Sequence, residues 1–277
     1  MSDADRVPPV PAVLRLVQMV VLGRWRATGE DLYRELVHLL EPAPGKEILI
    51  SGCGDGVTAE WIARRTRAAV TGVDPSAERI GRAEARRRAI AIPPSLTYQQ
   101  AALDDLPHET AVFDGSVGEP VLAAADDPAR AVAELVRVTK PMGPVVLLQP
   151  TWSSDIAMGA RELLVERLGL RPHLLVEWKQ MLRDAGVVDI QVQDWTSGGP
   201  GASATRSTGS RAALETHLNW RQKVQIAGRA WRRWGWREAR GAVERETTLL
   251  RELSRERSIG FQLIKGVKWP HAILSSS

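Results

Sequence analysis

The stretch Ile48-Leu-Ile-Ser-Gly-Cys-Gly-Asp-Gly56 decides the fold, because it joins a short apolar run to a glycine-rich turn. A helical pattern follows directly, over residues 58–65. Glycines suit such a turn, since the backbone must bend sharply and let a ligand approach the amides at the helix N-terminus. We therefore expect a strand, a ligand-binding turn and a helix in this order.

The second informative stretch is Gly72-Val-Asp-Pro-Ser76, which ends the next apolar run. Its acid, Asp74, follows the glycine turn by about 20 residues, a spacing at which a carboxylate can accept both hydroxyls of a ribose. The alternative is that Asp74 only caps the helix that begins near Ser76. Val57 stands where a dinucleotide fold would have a third small residue, so NAD is disfavoured as the ligand.

Short apolar runs and helical segments alternate from residue 47 onward, which predicts βαβ units and a mostly parallel sheet. The predicted strands are 48–51, 69–73, 96–100, 112–117, 145–149, 188–195 and 259–269. The predicted helices are 13–25, 30–40, 58–65, 77–89, 129–139, 155–168 and 177–185. Residues 197–210 are rich in Gly, Ser and Thr, which is typical of a loop, and residues 211–257 are helical in period with a break near Gly235.

These patterns divide the chain into four parts. Residues 1–43 hold N-terminal helices, and residues 44–195 form a Rossmann-like α/β core. Residues 196–257 form a loop and a helical insertion, and residues 258–277 hold the last strand and a tail. The expected fold is an α/β sheet with a helical insertion before its last strand.

Composition excludes several classes of protein. The 277 residues are 44% hydrophobic and 25% charged, as in an ordinary soluble domain, and no apolar run reaches the ~20 residues of a membrane span. A single cysteine, Cys53, excludes a disulfide framework, and the five histidines show no metal spacing, so no metal is expected. A net charge of +4 is too small to favour nucleic acid. No signal peptide is evident, and we expect a cytoplasmic protein.

The motifs resemble, in order, those of the class I S-adenosylmethionine-dependent methyltransferases. The resemblance implies a mostly parallel sheet of seven strands whose last strand is antiparallel, with S-adenosylmethionine as the cofactor. The matching segments are 52–56 and 72–76, then Leu106-Pro107 and Phe113-Asp114 beside the adenine, then Asp127-Pro128, Glu134 and 137–143 before the fifth strand, and finally 181–186 and 188–195.

The resemblance also implies which residues hold the cofactor. These residues line the glycine turn, the ribose site and the adenine site: Gly52, Cys53, Gly54, Gly56, Asp74, Pro75 and Asp104.

Three positions depart from the family pattern. Ile50 stands where an acid normally helps to hold the amino-acid end of the cofactor, and Ala102 where an Asp takes the adenine amino group. Met142 replaces one of two paired glycines. Because a charge-assisted hydrogen bond contributes about 1.5–3 kcal/mol, losing two of them weakens binding by roughly two orders of magnitude or more. The cofactor site is therefore either retained at lower affinity or lost.

Glu119 is the candidate catalytic base, since it follows the fourth predicted strand at the carboxyl edge where ligands bind. His108 and His173 are weaker candidates. Transfer of a methyl group to an activated acceptor needs little beyond alignment, so a base is not obligatory. The simpler interpretation of Glu119 is a solvated loop acid beside Pro120.

Residues 229–240, which we call the Trp/Arg segment, combine aromatic and cationic side chains. Such a mixture suits a membrane surface, a protein partner or a lid over a substrate. The simpler alternative is an amphipathic helix that packs its tryptophans on its own core. The predicted interaction surface consists of Trp231, Arg232, Arg233, Trp234 and Trp236.

Two functions from different classes remain open at this stage. The first is an S-adenosylmethionine-dependent methyltransferase that acts on a small, lipophilic acceptor. The second is a catalytically silent subunit of the same fold that docks on a membrane-associated complex, for example a respiratory or photosynthetic one. Its location would then be peripheral, at the inner face of the membrane.

Overall fold

The structure is a computed structural model that describes residues 29–89, 95–153, 158–196, 220–256 and 259–270. The helix predicted at 13–25 and the loop predicted at 197–210 lie outside the described residues. The described helices are α1 (Gly29–Leu40), α2 (Val57–Thr66), α3 (Ala77–Ala89), α4 (Pro128–Val138), α5 (Met158–Leu168), α6 (Leu175–Asp184) and α7 (Trp220–Glu256). The strands are β1 (Glu47–Ser51), β2 (Ala69–Asp74), β3 (Leu96–Gln100), β4 (Gly115–Gly118), β5 (Pro144–Trp152), β6 (His173–Leu174), β7 (Val187–Asp194) and β8 (Ile259–Lys268).

These elements fall into two compact units. A sheet unit contains the strands, apart from Ile259 at the start of β8, together with α1 to α4 and α6, and a helical unit contains α5 and α7. The four-part division drawn from the sequence stays a proposal.

The sheet unit is built on one sheet with the strand order β3-β2-β1-β4-β5-β8-β7, and the two-residue β6 pairs with β5. Strand β1 is parallel to β2 and β4, and the pairs β2–β3, β4–β5 and β5–β6 are also parallel. Strand β8 is antiparallel to β7 and lies between β5 and β7. The predicted mostly parallel, Rossmann-like sheet with an antiparallel last strand is confirmed.

Strand β1 lies at the centre of the core. Ile48, Leu49 and Ile50 are all buried although they point alternately to the two faces of the sheet. Helices therefore cover both faces, as a parallel sheet requires, and this explains why the strand is a continuous apolar run.

Two predicted strand boundaries differ from the structure by three residues, and the others differ by one residue at most. The fourth strand was expected at 112–117 but runs over Gly115–Gly118, because Phe113 forms only an isolated bridge with Thr139. The Asp114 carboxylate next to it contacts the ammonium groups of Lys46 and Lys140 at 3.2 and 3.1 Å, and the Asp114 amide donates to the carbonyl of Glu47 on β1 at 2.8 Å. The fifth strand was expected at 145–149 and continues to Trp152.

The end of β8 is tied to the end of α4. The Lys268 ammonium group donates to the carbonyl oxygens of Arg137 and Thr139 at 3.0 and 2.6 Å. Carbonyls at a helix C-terminus have no intrahelical partner, so a cation stabilises them. Burial, and then the charge of Arg137, lowers the pKa of Lys268.

The helical unit confirms the predicted break in α7. Gly235 has φ 73° and ψ 167°, a conformation outside the helical region. Next to this break, Ala230, Ala239 and Ala242 form a small buried cluster, on which Trp234 packs. Within the described residues no helix has the length and apolarity needed to cross a membrane.

Candidate active site

The glycine turn between β1 and α2 is shaped by three glycines with positive φ. Gly52, Gly54 and Gly56 have φ of 78°, 54° and 78°, a region that other residues enter only with strain. The amides of Gly52 and Cys53 both donate to the carbonyl of Val73, at 2.7 and 2.9 Å. These bonds hold the turn against the end of β2.

Asp74 links the glycine turn to the loop that follows β2. Its side chain is fully buried, and its two carboxylate oxygens accept the amides of Gly54 and Ser76, each at 2.9 Å. The guanidinium group of Arg79 lies 3.7 Å from the same carboxylate. The bond to Ser76 is the capping role considered from the sequence, whereas the bond to Gly54 was missed. A ribose role for Asp74 stays a prediction.

Tyr98 on β3 supports the turn and was not found from the sequence. Its hydroxyl group donates to the carbonyl of Gly56 at 3.0 Å, and its ring covers Gly72, its register partner on β2. A Cβ atom on Gly72 would lie 2.7 Å from the Tyr98 ring and 2.9 Å from the Cys53 sulfur, so only glycine fits. The sequence could not reveal this packing, because it depends on the register in which β2 and β3 pair.

Cys53 is buried in the glycine turn, with its sulfur close to Gly72 on β2. Burial raises the pKa of its thiol, and the carboxylates of Glu119 and Asp74 raise it further. Since the thiolate is the reactive form, Cys53 is a packing residue and does not act as a nucleophile.

A cavity of about 560 Å³ opens at the carboxyl ends of β2 and β3. This volume is in the usual range for small-molecule sites. Its lining includes Val121 from the loop after β4, together with Pro75, Arg79, Ala102 and Asp104. The structure thus brings the predicted residues Pro75 and Asp104 to one cavity, and the position that lacks the usual adenine-binding Asp, Ala102, also lies on its wall.

The loop that carries Leu106 is fixed to α4. The Glu134 carboxylate accepts the Leu106 amide at 2.9 Å, and Arg137 donates to that carboxylate and to the Leu106 carbonyl. The hydrogen bond from Arg137 is the main reason that the pKa of Glu134 is lowered. The loop at Leu106 is therefore held against the end of α4.

Glu119 follows β4 directly and is partly buried. Its amide donates to the carbonyl of Ser51 at 2.9 Å, and its own carbonyl accepts the side-chain amide of Gln149 at 2.9 Å. A Cβ atom built on Gly52 would lie 3.7 Å from the Glu119 Cβ, so the side chain leaves the backbone beside the glycine turn. A role as catalytic base stays a prediction.

The two histidine candidates lie in different parts of the sheet unit. His108 packs edge-on against Phe113, with ring centroids 5.0 Å apart. His173 on β6 lies 3.5 Å from the Glu177 carboxylate and contacts the ring of Trp178. The Nε2 atoms of both rings are buried without a hydrogen-bond partner among the described residues, and a catalytic role for either histidine stays a prediction.

His108 is expected to make stability depend on pH. Burial, and then the charge of Arg137, lowers its pKa from 6.5, so the unfolded chain binds a proton more readily than the folded chain. Stability is therefore lost as the pH falls from the unfolded pKa through the folded one. Between about pH 7.5 and about pH 5.5, His108→Gln should lose less unfolding free energy than the wild type in urea titrations. The exposed His38 provides the control His38→Gln, and equal pH dependence in both variants would contradict the assignment.

The Trp/Arg segment is divided between core and surface. Trp234 packs on the alanine cluster of α7, whereas Trp231 and Trp236 are 61% and 66% exposed. Arg232 and Arg233 are exposed as well. Packing on its own core thus accounts for one tryptophan of the three, and the interaction surface stays a prediction.

Comparison with known proteins identifies the class of this fold. Residues 49–147 match the family model of a methyltransferase domain. An O-methyltransferase of Pyrenophora dematioidea is 32% identical over 112 residues, which cover 40% of this chain and 42% of that protein. A ubiquinone biosynthesis O-methyltransferase of Alkalilimnicola ehrlichii is 33% identical over 143 residues, which cover 50% of this chain and 56% of that protein. The matched part thus spans about half the length of these relatives.

A solved structure gives the same fold. Geranyl diphosphate C-methyltransferase from Streptomyces coelicolor, in complex with Mg²⁺, geranyl diphosphate and S-adenosyl-L-homocysteine, matches with a TM-score of 0.63 and 16% identity. The match covers 86% of this chain and 78% of that one. Residues 49–147 thus carry a methyltransferase domain, and the sheet has the fold of class I, S-adenosylmethionine-dependent methyltransferases, as the ordered motifs predicted.

Proposed function

We propose that the chain is an S-adenosylmethionine-dependent methyltransferase that acts on a small, lipophilic acceptor. The observation that carries the proposal is the glycine turn anchored by buried Asp74, together with a cavity of about 560 Å³ at the carboxyl ends of β2 and β3. Methyltransferases related over about half their length support it. So does the adenosine ligand in the S. coelicolor structure.

The residues present fit this cofactor at the turn. A Cβ atom on Gly54 would meet no atom within 4 Å, so the backbone there is open to a ligand. Each oxygen of Asp74 accepts one amide and keeps a second acceptor position for a ribose hydroxyl group. Arg79 must move for the ribose to enter, which its 42% exposed side chain permits.

The chain acts mainly by holding its ligands in place. S-adenosylmethionine supplies an activated methyl group on a sulfonium, and alignment with the acceptor atom provides most of the acceleration that such a transfer needs. The glycine turn would leave room for the cofactor, Asp74 would hold the ribose, and the cavity lined by Asp104 and Ala102 would take the adenine. If Glu119 is a base, it removes the acceptor proton at the same edge of the sheet.

The proposal of a lipophilic acceptor rests on chemical analogy. One relative is named for ubiquinone biosynthesis, and one solved structure holds geranyl diphosphate. Both molecules contain an isoprenoid chain, so acceptors with such a chain are the first to test.

Calorimetric titration of the purified chain with S-adenosylmethionine and S-adenosylhomocysteine tests the proposal. We expect dissociation constants in the micromolar range, followed by transfer of labelled methyl groups to an isoprenoid phenol or diphosphate. No heat up to millimolar ligand would overturn the proposal. It would favour the silent docking subunit, the second hypothesis from the sequence.

Two glycines with positive φ give a matched pair for testing the turn. Neither Gly54 (φ 54°) nor Gly45 (φ 85°) would bring a new Cβ within 4 Å of another atom, so Gly54→Ala and Gly45→Ala should each cost about 1–2 kcal/mol of backbone strain. Only the new methyl group at position 54 would occupy the space of the cofactor, and we expect about 10-fold weaker S-adenosylhomocysteine binding there alone. Calorimetry and urea unfolding check both effects, and equal affinities for the two variants would contradict the placement.

A further inference from the structure

The first part of α7 carries a stripe of apolar side chains that faces outward. Trp220, Val224 and Trp231 are each exposed over more than half of their surface, and Ala227 between them is exposed as well. These four residues follow one another at steps of four, three and four, so they lie on one face of the helix. We call them the outer stripe. Large apolar side chains that share one exposed face indicate a binding surface, whereas single ones are ordinary.

The outer stripe is distinct from the face of α7 that packs within the helical unit. Ile226, Ala230 and Trp234 also follow one another at steps of four. Ala230 belongs to the buried alanine cluster, and Ile226 and Trp234 pack against it. The core of the unit therefore uses a neighbouring face of the same helix, and packing on this core does not account for the outer stripe.

The charge of this part of the helix has one sign. Residues 220–237 contain six cationic residues and no aspartate or glutamate. The six are Arg221, Lys223, Arg229, Arg232, Arg233 and Arg237, and the last four are exposed. A helix with its side chains is about 10–12 Å across, close to the Debye length of about 8 Å at physiological salt, so these charges act together. The surface therefore favours an anionic partner.

An apolar stripe within a cationic stretch matches a lipid surface with anionic headgroups. Tryptophan side chains settle at the depth of the headgroups, and an amphipathic helix buries its apolar face there. Arg232 follows Trp231 directly and lies about 100° further round the helix, beside the outer stripe. From such a position the long arginine side chain can keep its charge among the phosphates while its stem covers apolar surface.

Two other kinds of partner fit less well. A nucleic acid would attract the cations and stack on tryptophan, but it offers no counterpart for an outward-facing aliphatic side chain such as Val224. The core of a protein interface is depleted of charge, whereas residues 220–237 hold six cations beside the apolar side chains. The observations therefore favour a lipid surface.

We propose that the outer stripe and the cations of residues 220–237 bind the surface of a membrane that contains anionic lipids. The helix lies in the plane of this surface, with Trp220, Val224 and Trp231 at headgroup depth. Each cation near such a surface strengthens binding about fivefold. Binding needs neither cofactor nor acceptor, so this inference goes beyond the proposed function and does not rest on it. It would keep the protein beside lipophilic molecules that dissolve in the bilayer.

Flotation of the full chain with lipid vesicles tests the inference. The two vesicles compared are pure phosphatidylcholine and phosphatidylcholine with about one third phosphatidylglycerol, which is anionic. We expect the anionic vesicles to bind the protein at least about 100-fold more tightly. Raising the salt concentration from about 0.15 to about 0.5 M should remove most of this difference, because salt screens the charges.

Trp231→Ala tests the apolar part of the surface. It should weaken binding to the anionic vesicles about 10-fold, because a large apolar side chain no longer enters the lipid. The matched control is Trp269→Ala, since Trp269 is also exposed but follows β8 in the sheet unit. Trp231 is exposed and alanine is the better helix former, so urea unfolding of Trp231→Ala should match that of the wild type.

A double variant tests the cationic part. Arg232→Gln with Arg233→Gln should weaken binding to the anionic vesicles about 10- to 25-fold and leave the weaker binding to phosphatidylcholine unchanged. Arg171→Gln with Arg183→Gln is the control, because it removes two exposed cations from the sheet unit. This control should bind both vesicles as the wild type does.

The outcomes bear on the lipid surface alone. Weaker flotation in the α7 variants and wild-type flotation in both controls would support the inference. No flotation with anionic vesicles, or equal flotation of Trp231→Ala and Trp269→Ala, would overturn it. Binding of an RNA oligonucleotide through Arg232 and Arg233 without binding to vesicles would overturn it as well. A chain that binds vesicles but not S-adenosylmethionine would keep this inference and lose the proposed function.

Discussion

Asp74→Ala is expected to abolish measurable S-adenosylmethionine binding and to lower the free energy of unfolding by about 3–6 kcal/mol. The carboxylate is fully buried and accepts the amides of Gly54 and Ser76 at 2.9 Å each. Each charge-assisted hydrogen bond contributes about 1.5–3 kcal/mol, and alanine leaves both amides without this acceptor. The turn and the start of α3 lose their common anchor, so the ligand site is lost together with stability.

The measurement combines calorimetric titration with urea unfolding. A matched control is Asp127→Ala, because Asp127 is an exposed acid whose carboxylate accepts a single amide, that of Arg130, at 3.0 Å. Because Asp127 is the N-cap of α4, Asp127→Ala should lower the free energy of unfolding by about 1 kcal/mol and leave cofactor affinity unchanged. If Asp74→Ala binds the cofactor as tightly as the wild type, the cofactor does not use this carboxylate.

The second large effect is expected in the helical unit, at the buried ion pair between α5 and α7. Arg167 Nη1 lies 3.4 Å from Glu246 Oε1, and the two side chains are only 7% and 2% exposed. Glu246→Ala leaves the guanidinium charge buried without this carboxylate, which typically costs about 3–5 kcal/mol. The cost arises from the stranded charge, since a buried pair itself adds little net stability.

The same helix provides the control. Arg240 Nε lies 3.1 Å from Glu244 Oε1, but these side chains are 69% and 65% exposed, so Glu244→Ala should cost about 0.3–0.5 kcal/mol. Because two compact units need not unfold together, amide hydrogen exchange in α5 and α7 is the appropriate readout for both variants. Similar losses of protection in the two variants would refute the importance of the buried pair.

The parts of the fold that local spacing determines were predictable. These parts are the glycine turn, the position of Asp74 and the break at Gly235, and each depends on residues near one another in the chain. The turn glycines and Gly235 have positive φ, which glycine adopts without strain. The start of β4 was misplaced because apolar residues at 112 and 113 continue the strand pattern. There the chain pairs with the end of α4 and not with a strand.

The parts of the site that depend on strand register were not predictable. Tyr98 faces Gly72 only because β2 and β3 pair in a particular register, and Gln149 reaches the carbonyl of Glu119 only across β4. A single sequence contains no signal for such distant pairs beyond the residue types themselves. The same holds for Arg167 and Glu246, which the chain brings together from separate helices.

The place of β8 in the sheet has a consequence for biosynthesis. Strand β7 is made before β8 but, among the described strands, pairs with β8 alone, because β8 lies between β5 and β7. While the ribosome is still adding residues 195–258, β5 therefore presents an open edge, and β7 does not yet have β8 to pair with. Open strand edges promote association between nascent chains. Expression at lower temperature or with chaperones should therefore raise the soluble yield of this protein more than that of a fold whose strands pair in the order of synthesis.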